Sequence, residues 1–295
     1  MTSKIEWTRN ADGTQGRTWE VVRGCSHAST GCNSCYAERL TWRLAHNPVF
    51  DDKYKGLAEL RGGLPRWTGE VRCDASVLEQ PLRWRKPTRV FVCSRSDLFH
   101  EKVPDEFIAA VFDVMADCPQ HTFIVLTKRA ERMRKWFEWM TSFWSGTKNY
   151  PRHNTWVGVT VENQAATKRL DDLVATPAAV RFVSYEPALE GVDFSRWVYD
   201  REEKIRKAMY GPAALNEEQA GSVIPRPIDW VIAGSESGPH ARPAQLDWFR
   251  SARDQCVAAG VPFFFKQWVV DGKKISTPEL DGQRWVEYPN IKERP

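Results

Sequence analysis

The chain has 295 residues, 42% hydrophobic and 27% charged, with a formal net charge of +4. This is the balance of an ordinary globular protein, one large domain or two small ones, with length for a substantial core. The polar start "MTSKIEWTRNADGTQG" has no signal-peptide core, and no apolar run approaches the roughly 18 residues of a membrane span, so a cytoplasmic protein with no membrane partner is expected. The mild positive charge permits contact with nucleic acid or nucleotides without requiring it.

The first β-rich run is "TWEVVRG" (18–24). It leads straight into "GCSHASTGCNSCYAERL", which holds Cys25, Cys32 and Cys35. "GEVRCD" (69–74) is a weaker strand candidate, and "RVFVCS" (89–94) a stronger one. "PDEFIAAVFDVMADC" (104–118) puts Phe107, Val111, Val114 and Met115 on one helical face, with Pro104 suited to the first turn. The strand "TFIVLT" (122–127) follows, and then a loop-like stretch over 141–154. "TWVGVTV" (155–161) reads as a strand, "ATKRLDDLVAT" (166–176) as a helix and "VRFVSY" (180–185) as a strand. Residues 197–227 are polar with helical patches, then Pro-rich, and read as an insertion or lid, or as a surface excursion without a role. "DWVIAGS" (229–235), the helix 245–260 stopping at Gly260, and "VPFFFKQ" (261–267) complete the alternation.

The strong strand candidates are nearly continuous apolar runs, as in parallel strands buried on both faces. Strand–helix alternation means an α/β fold, and up to eight strands predict a full or partial parallel β/α (TIM-like) barrel. A doubly wound open sheet is the alternative. The expected organisation is a single domain over 1–295, with the insertion at 197–227 and an irregular tail from 271 to 295.

Polar groups recur after six of these strands. They are Ser94 to Asp97, then Thr127, Lys128 and Arg129, then Thr160, Glu162 and Asn163. Ser184, Tyr185 and Glu186 follow, then Ser235, Glu236 and Ser237, and finally Lys266 and Gln267. In a parallel barrel ligands collect at that end, so together these residues predict a polar, charged mouth. Each alone could be a solvated loop residue.

The cysteine spacing is C-x6-C-x2-C. Three thiolates can wrap one metal centre, but zinc wants a fourth ligand, and His27 is awkwardly placed to supply it. Cys73, Cys93, Cys118 and Cys256 read as buried apolar thiols. A three-cysteine loop without a partner suggests a [4Fe–4S] cluster with one iron left open. A zinc-dependent enzyme and a non-catalytic iron–sulfur protein that binds nucleic acid are the competing readings.

The strand, the loop ending "CNSCYAERL" and the β/α alternation resemble the radical S-adenosylmethionine (SAM) superfamily. Most members use C-x3-C-x2-C, and this chain departs from that spacing. It is similar to a phage-associated branch that shares the "GC…GCxxCYAER" opening. The segments "SDLFHE", "LTKR", "VGVTVEN", "EP", "GSESG" and "FFKQW" stand here in the same order, at Ser96–Glu101, Leu126–Arg129, Val157–Asn163, Glu186–Pro187, Gly234–Gly238 and Phe264–Trp268.

The resemblance implies that Cys25, Cys32 and Cys35 ligate three irons and that SAM chelates the fourth. It implies an electron donor of the flavodoxin or ferredoxin class. The substrate it implies is a nucleotide or modified DNA base in a phage-infected host's cytoplasm, with isomerisation of a glycinyl-thymidine as one such reaction. "CSRSDLFHE" resembles a segment of relatives that makes Asp97 the expected SAM amino contact, helped by Ser94; a turn or helix-capping aspartate is the plainer alternative. Thr127 and Lys128, or Thr160 and Glu162, would meet the ribose and carboxylate. Tyr36 would pack on adenine or cluster, or cap the helix face. Arg129 and Lys266 could hold a carboxylate or phosphate, and Glu186 and Glu236 an amine or a proton in transfer. These four could equally pair as a structural ion-pair ring.

Overall fold

The computed structural model of the protein describes residues 2–143, 152–199 and 228–290. A short β1 (Arg17–Trp19) precedes β2 (Val22–Arg23), the hairpin of β3 (Ala58–Arg61) and β4 (Leu64–Trp67), and β5 (Arg72–Cys73). The long strands are β6 (Arg89–Val92), β7 (Thr122–Thr127), β8 (Thr155–Thr160), β9 (Val180–Tyr185), β10 (Trp230–Gly234) and β11 (Phe263–Val270). After them come β12 (Lys273–Ser276), β13 (Glu279–Leu280) and β14 (Gln283–Arg284). The helices are α1 (Tyr36–Ala45), α2 (Asp51–Tyr54), α3 (Asp105–Ala116), α4 (Ala130–Phe143), α5 (Lys168–Ala175), α6 (Ser195–Val198) and α7 (Leu246–Ala259).

One eight-stranded sheet runs in the order β1-β6-β7-β8-β9-β10-β11-β12. It is parallel except where β12 returns antiparallel to β11. The order is sequential and never reverses, which is barrel-like rather than doubly wound. Among the described residues the sheet does not close, because β1 and β12 stand at opposite edges. The structure is therefore a curled half-barrel, and the full barrel expected as one possibility does not form.

The curl has a visible cause. Trp7, 2% exposed, sits 4.8 Å from the Phe91 ring on β6, 6.3 Å from Phe182 on β9 and 6.2 Å from Trp230 on β10. Strands four steps apart in a flat sheet would be roughly 19 Å apart. One indole reaches both only if the sheet wraps around it. Trp7, Phe91, Ile124, Trp156, Phe182, Trp230, Ile232 and Phe264 form this concave-side core. The convex face packs on the helices through a second core that includes Val111, Phe112, Met133, Phe137, Leu170, Leu173 and Phe249. The N-terminal segment spans the open side: Thr2 bridges Arg17 beside β1, and Glu6 meets Lys274 Nζ at 2.8 Å and Ser276 Oγ at 2.6 Å on β12.

Several expectations need correction. "GEVRCD" contributes only β5, which pairs with β2 outside the main sheet. The tail is not irregular over 271–290: β12, the β13–β14 pair and a Phe264–Val286 bridge give it strand structure. On α3, Ile108 and Phe112 are fully buried while Phe107 is only partly so. Of the expected insertion, α6 occupies the start; residues 200–227 lie outside the described residues, as do 144–151 of the expected loop. α7 ends at Gly260 with φ +67°, as read from sequence. Among the described residues, no helix is long and apolar enough to cross a membrane.

Candidate functional site

The concave face changes character along its strands. Side chains alternate, so Leu126 is followed on its face by Lys128, Gly158 by Thr160, Phe182 by Ser184 and Glu186, and Phe264 by Lys266. The apolar members close around Trp7. The polar ones border a cavity of about 570 Å³, together with Tyr36, Ser94, Asp97, Thr127, Arg129 and Glu236. That volume suits a small-molecule site, and its place is the C-terminal end of the parallel strands.

Cys25, Cys32 and Cys35 border the same cavity, each half-buried. Their loop leaves β2 through Gly24 at φ +85°, where a Cβ would fall 2.1 Å from the Glu70 carbonyl oxygen. Thr30–Cys32 form one 3-10 turn, and α1 starts directly after Cys35. Burial pushes the Cys35 thiol up, while the Glu38 and Ala37 amides at the helix start pull it down. Burial also pushes Cys25 up to about 12, reinforced by Asp97 and opposed by Arg129. Cys93 borders the cavity from within the apolar core at 2% exposure.

The six-residue gap between Cys25 and Cys32 is anchored along most of its length. Arg129 Nη2 donates to Ser26 O at 3.3 Å and Ser26 Oγ at 2.8 Å. His27 Nε2 lies 2.8 Å from Glu38 Oε1, so it is engaged away from the thiols. The Ala28 amide donates to Cys32 Sγ at 3.5 Å. Arg242 Nη1 donates to the Thr30 carbonyl at 3.0 Å. Gly31 packs on Glu162, where a Cβ would sit 3.1 Å from the carboxyl carbon. Beyond the gap, Arg66 donates to Asn33 O at 2.8 Å. Each of these arginines is braced by carboxylates: Arg66 by Glu38, Arg129 by Asp97 and Glu101, Arg242 by Glu236.

These contacts change several roles expected from sequence. Asp97, 5% exposed, is fully engaged: Oδ1 accepts from Thr127 Oγ1 at 2.7 Å and the Phe99 amide at 3.0 Å, Oδ2 from the Lys128 amide at 3.2 Å and Arg129 at 3.0 Å. It acts as a local organiser, close to the plainer turn-aspartate reading, rather than as a vacant acceptor for an ammonium. Glu162 is fully buried, does not line the cavity, and takes Arg169 Nη1 at 2.8 Å. Burial raises its pKa, but Lys128 and Arg169 outweigh that and hold it below the usual carboxylate range. Glu236 is clamped by Arg242 through Nη2 at 2.6 Å and Nε at 2.9 Å, and is held low despite its burial.

Glu186 and Lys266 both line the cavity and pair with each other at 2.6 and 2.8 Å. Lys128 borders the cavity, and its charge is one of those that hold Glu162 low. Thr160 borders the cavity while its carbonyl takes Arg169 at 2.7 Å. Tyr36 donates its hydroxyl to the Ser94 carbonyl, and Ser94 donates to Glu20. Glu20, Arg66, Arg242 and Glu38 were not singled out from sequence. "CYAER" and the polar "GPHAR" after "GSESG" were the only signals, and neither identifies a partner.

Among the described residues, no three His, Cys, Asp or Glu side chains gather tightly enough to hold a metal ion. A single zinc needs every thiolate about 2.3 Å from one point. In an iron–sulfur cluster each thiolate binds its own iron, so such a group does not require its thiolates to meet at one point.

No curated protein and no solved structure matches the chain. A family model described as a protein of unknown function (DUF5131) matches residues 2–289. Spanning nearly the whole chain, the sheet and the cysteine loop alike, that match places this protein in the DUF5131 family.

Proposed function

We propose that the protein is a radical SAM enzyme acting on a nucleotide or modified base. The observation that carries this reading is the meeting of three thiols, on one anchored loop, with the polar strand ends around a single cavity. Cys25, Cys32 and Cys35 would hold a [4Fe–4S] cluster, leaving one iron for SAM. When bound, the pair would supply a 5′-deoxyadenosyl radical able to abstract hydrogen from substrate, given an electron from a flavodoxin- or ferredoxin-like donor.

The chain's own residues bind, orient and shield. Lys128 and Thr160 suit a carboxylate and a hydroxyl of SAM. Glu186 and Lys266 present a carboxylate and an ammonium to the substrate side, and the pair can hold or pass a proton there. Tyr36 and Ser94 shape the wall beside the cysteine loop. Asp97 and Arg129 hold that loop to the strand ends. An isomerisation of an amino-acid-decorated thymidine is the reaction type in keeping with the family resemblance.

Anaerobic reconstitution tests the reading. About four irons per chain with matching sulfide, and 5′-deoxyadenosine formed from SAM under reductant, are expected. One zinc without a brown chromophore favours the zinc enzyme; an intact cluster without SAM cleavage favours the non-catalytic protein.

A further inference from the structure

We infer that Arg129 is a positioning residue that sets the reduction potential of the cluster through Cys25; this rests on the functional reading above. Arg129 follows β7 in "LTKR", where its charge invites assignment to a substrate anion. The geometry points elsewhere. A guanidinium carries five N–H donors. Nε is shared between Glu101 Oε1 and Oε2 at 2.8 and 3.0 Å. Nη1 reaches Asp97 Oδ2 at 3.0 Å and Cys25 Sγ at 3.9 Å. Nη2 takes Ser26 O and Oγ at 3.3 and 2.8 Å. Every donor is engaged, and the side chain is 7% exposed. No donor is left for a substrate.

Of the three arginines that hold the cysteine loop, Arg129 alone is bonded to a sulfur among the described residues; Arg66 and Arg242 reach backbone carbonyls. Hydrogen bonds and positive charge at a ligating sulfur favour the reduced, more negative cluster and raise its potential. Asp97 and Glu101 fix the guanidinium in place, so that it cannot swing away when the cluster charge changes. Removing it destabilises the reduced state and makes the potential more negative.

The test is a dithionite titration of the reconstituted full-length protein, one electron per cluster from dithionite, followed by electron paramagnetic resonance. Three variants are compared with the wild type: R129K, R129Q and R242Q. In R129Q the reduction equilibrium constant should fall at least tenfold, a shift of roughly 59 mV to more negative potential. R129K keeps the charge without the fork and should shift less, in the same direction. R242Q loosens the same loop without removing a hydrogen bond to sulfur; the Arg242 charge reaches Cys32 only through space, so its shift should be clearly smaller than that of R129Q.

Wild-type potentials in both Arg129 variants, or an equal shift in R242Q, overturn the proposal. If R129Q takes up no cluster, R129K decides. If both fail while R242Q loads normally, Arg129 merely anchors the loop and tuning is overturned. A wild-type protein that loads no cluster refutes the functional reading itself, and is recognised before any variant is compared.

Discussion

Glu162→Gln probes how the cysteine loop is held to the sheet. The carboxylate is fully buried, takes Arg169 at 2.8 Å, and lies against Gly31 between two of the cysteines. Gln keeps the shape and one acceptor oxygen but removes the charge. Losing a charge-assisted bond and leaving Arg169 uncompensated should cost about 2–3 kcal/mol, less than the roughly 3–5 kcal/mol of fully breaking a buried pair, because Arg169 keeps its bond to the Thr160 carbonyl. At about 2–4 °C per kcal/mol the melting temperature should fall by about 4–12 °C. Urea melts should show a lower midpoint with unchanged slope.

The pH dependence identifies the source. Glu162 is held below its ordinary value of 4.5, so its stabilisation is complete above that value and is lost as pH falls through the lower folded value. The stability gap between wild type and E162Q should therefore be flat above about pH 5 and narrow at more acidic pH. A gap that stays the same into the acidic range would refute the assignment to charge.

Two further perturbations follow from the same contacts. Trp7→Ala removes the indole around which the sheet curls, and should destabilise the fold by about 3–5 kcal/mol in a denaturant melt; a loss under about 1 kcal/mol would contradict that role. Arg242→Ala frees Glu236 and the Thr30 carbonyl, so reconstituted protein should lose iron several-fold faster to a chelator than wild type, and equal rates would show that this clamp does not hold the loop.

The long strands were legible because β7 to β10 are buried on both faces and so read as apolar runs. The polar mouth was legible for the same reason: on an alternating face, the apolar pattern stops where Lys128, Glu186 and Lys266 begin. β12 was not, since all four of its residues are exposed and an edge strand of that kind carries no apolar signal. The β3–β4 hairpin did carry one, the Gly62–Gly63 pair with φ +56° and +76° between two short runs. α4 also did, with Ala130, Met133, Phe137 and Met140 buried at helical spacing.

The roles of individual site residues were harder to read. Asp97 and Arg129 look like ligand-binding charges until their partners are known. Those partners lie in β7's following loop, in "SDLFHE" and in the cysteine loop about a hundred positions away. Arg242 meets Thr30 across more than two hundred residues. Local pattern carries no trace of such pairings, which only the curling of the sheet creates. The C-x6-C spacing, anomalous as a motif, acquires a physical account in the same way. Its extra residues are the ones held by Arg129, Glu38, Arg242 and Glu162.

The most direct measurement is 5′-deoxyadenosine production from SAM by anaerobically reconstituted protein under dithionite, beside a variant with Cys25, Cys32 and Cys35 all changed to Ala. Product is expected from the wild type, and neither iron uptake nor product from the variant. Equal product from both, or an intact wild-type cluster that leaves SAM uncleaved, would contradict the proposed function.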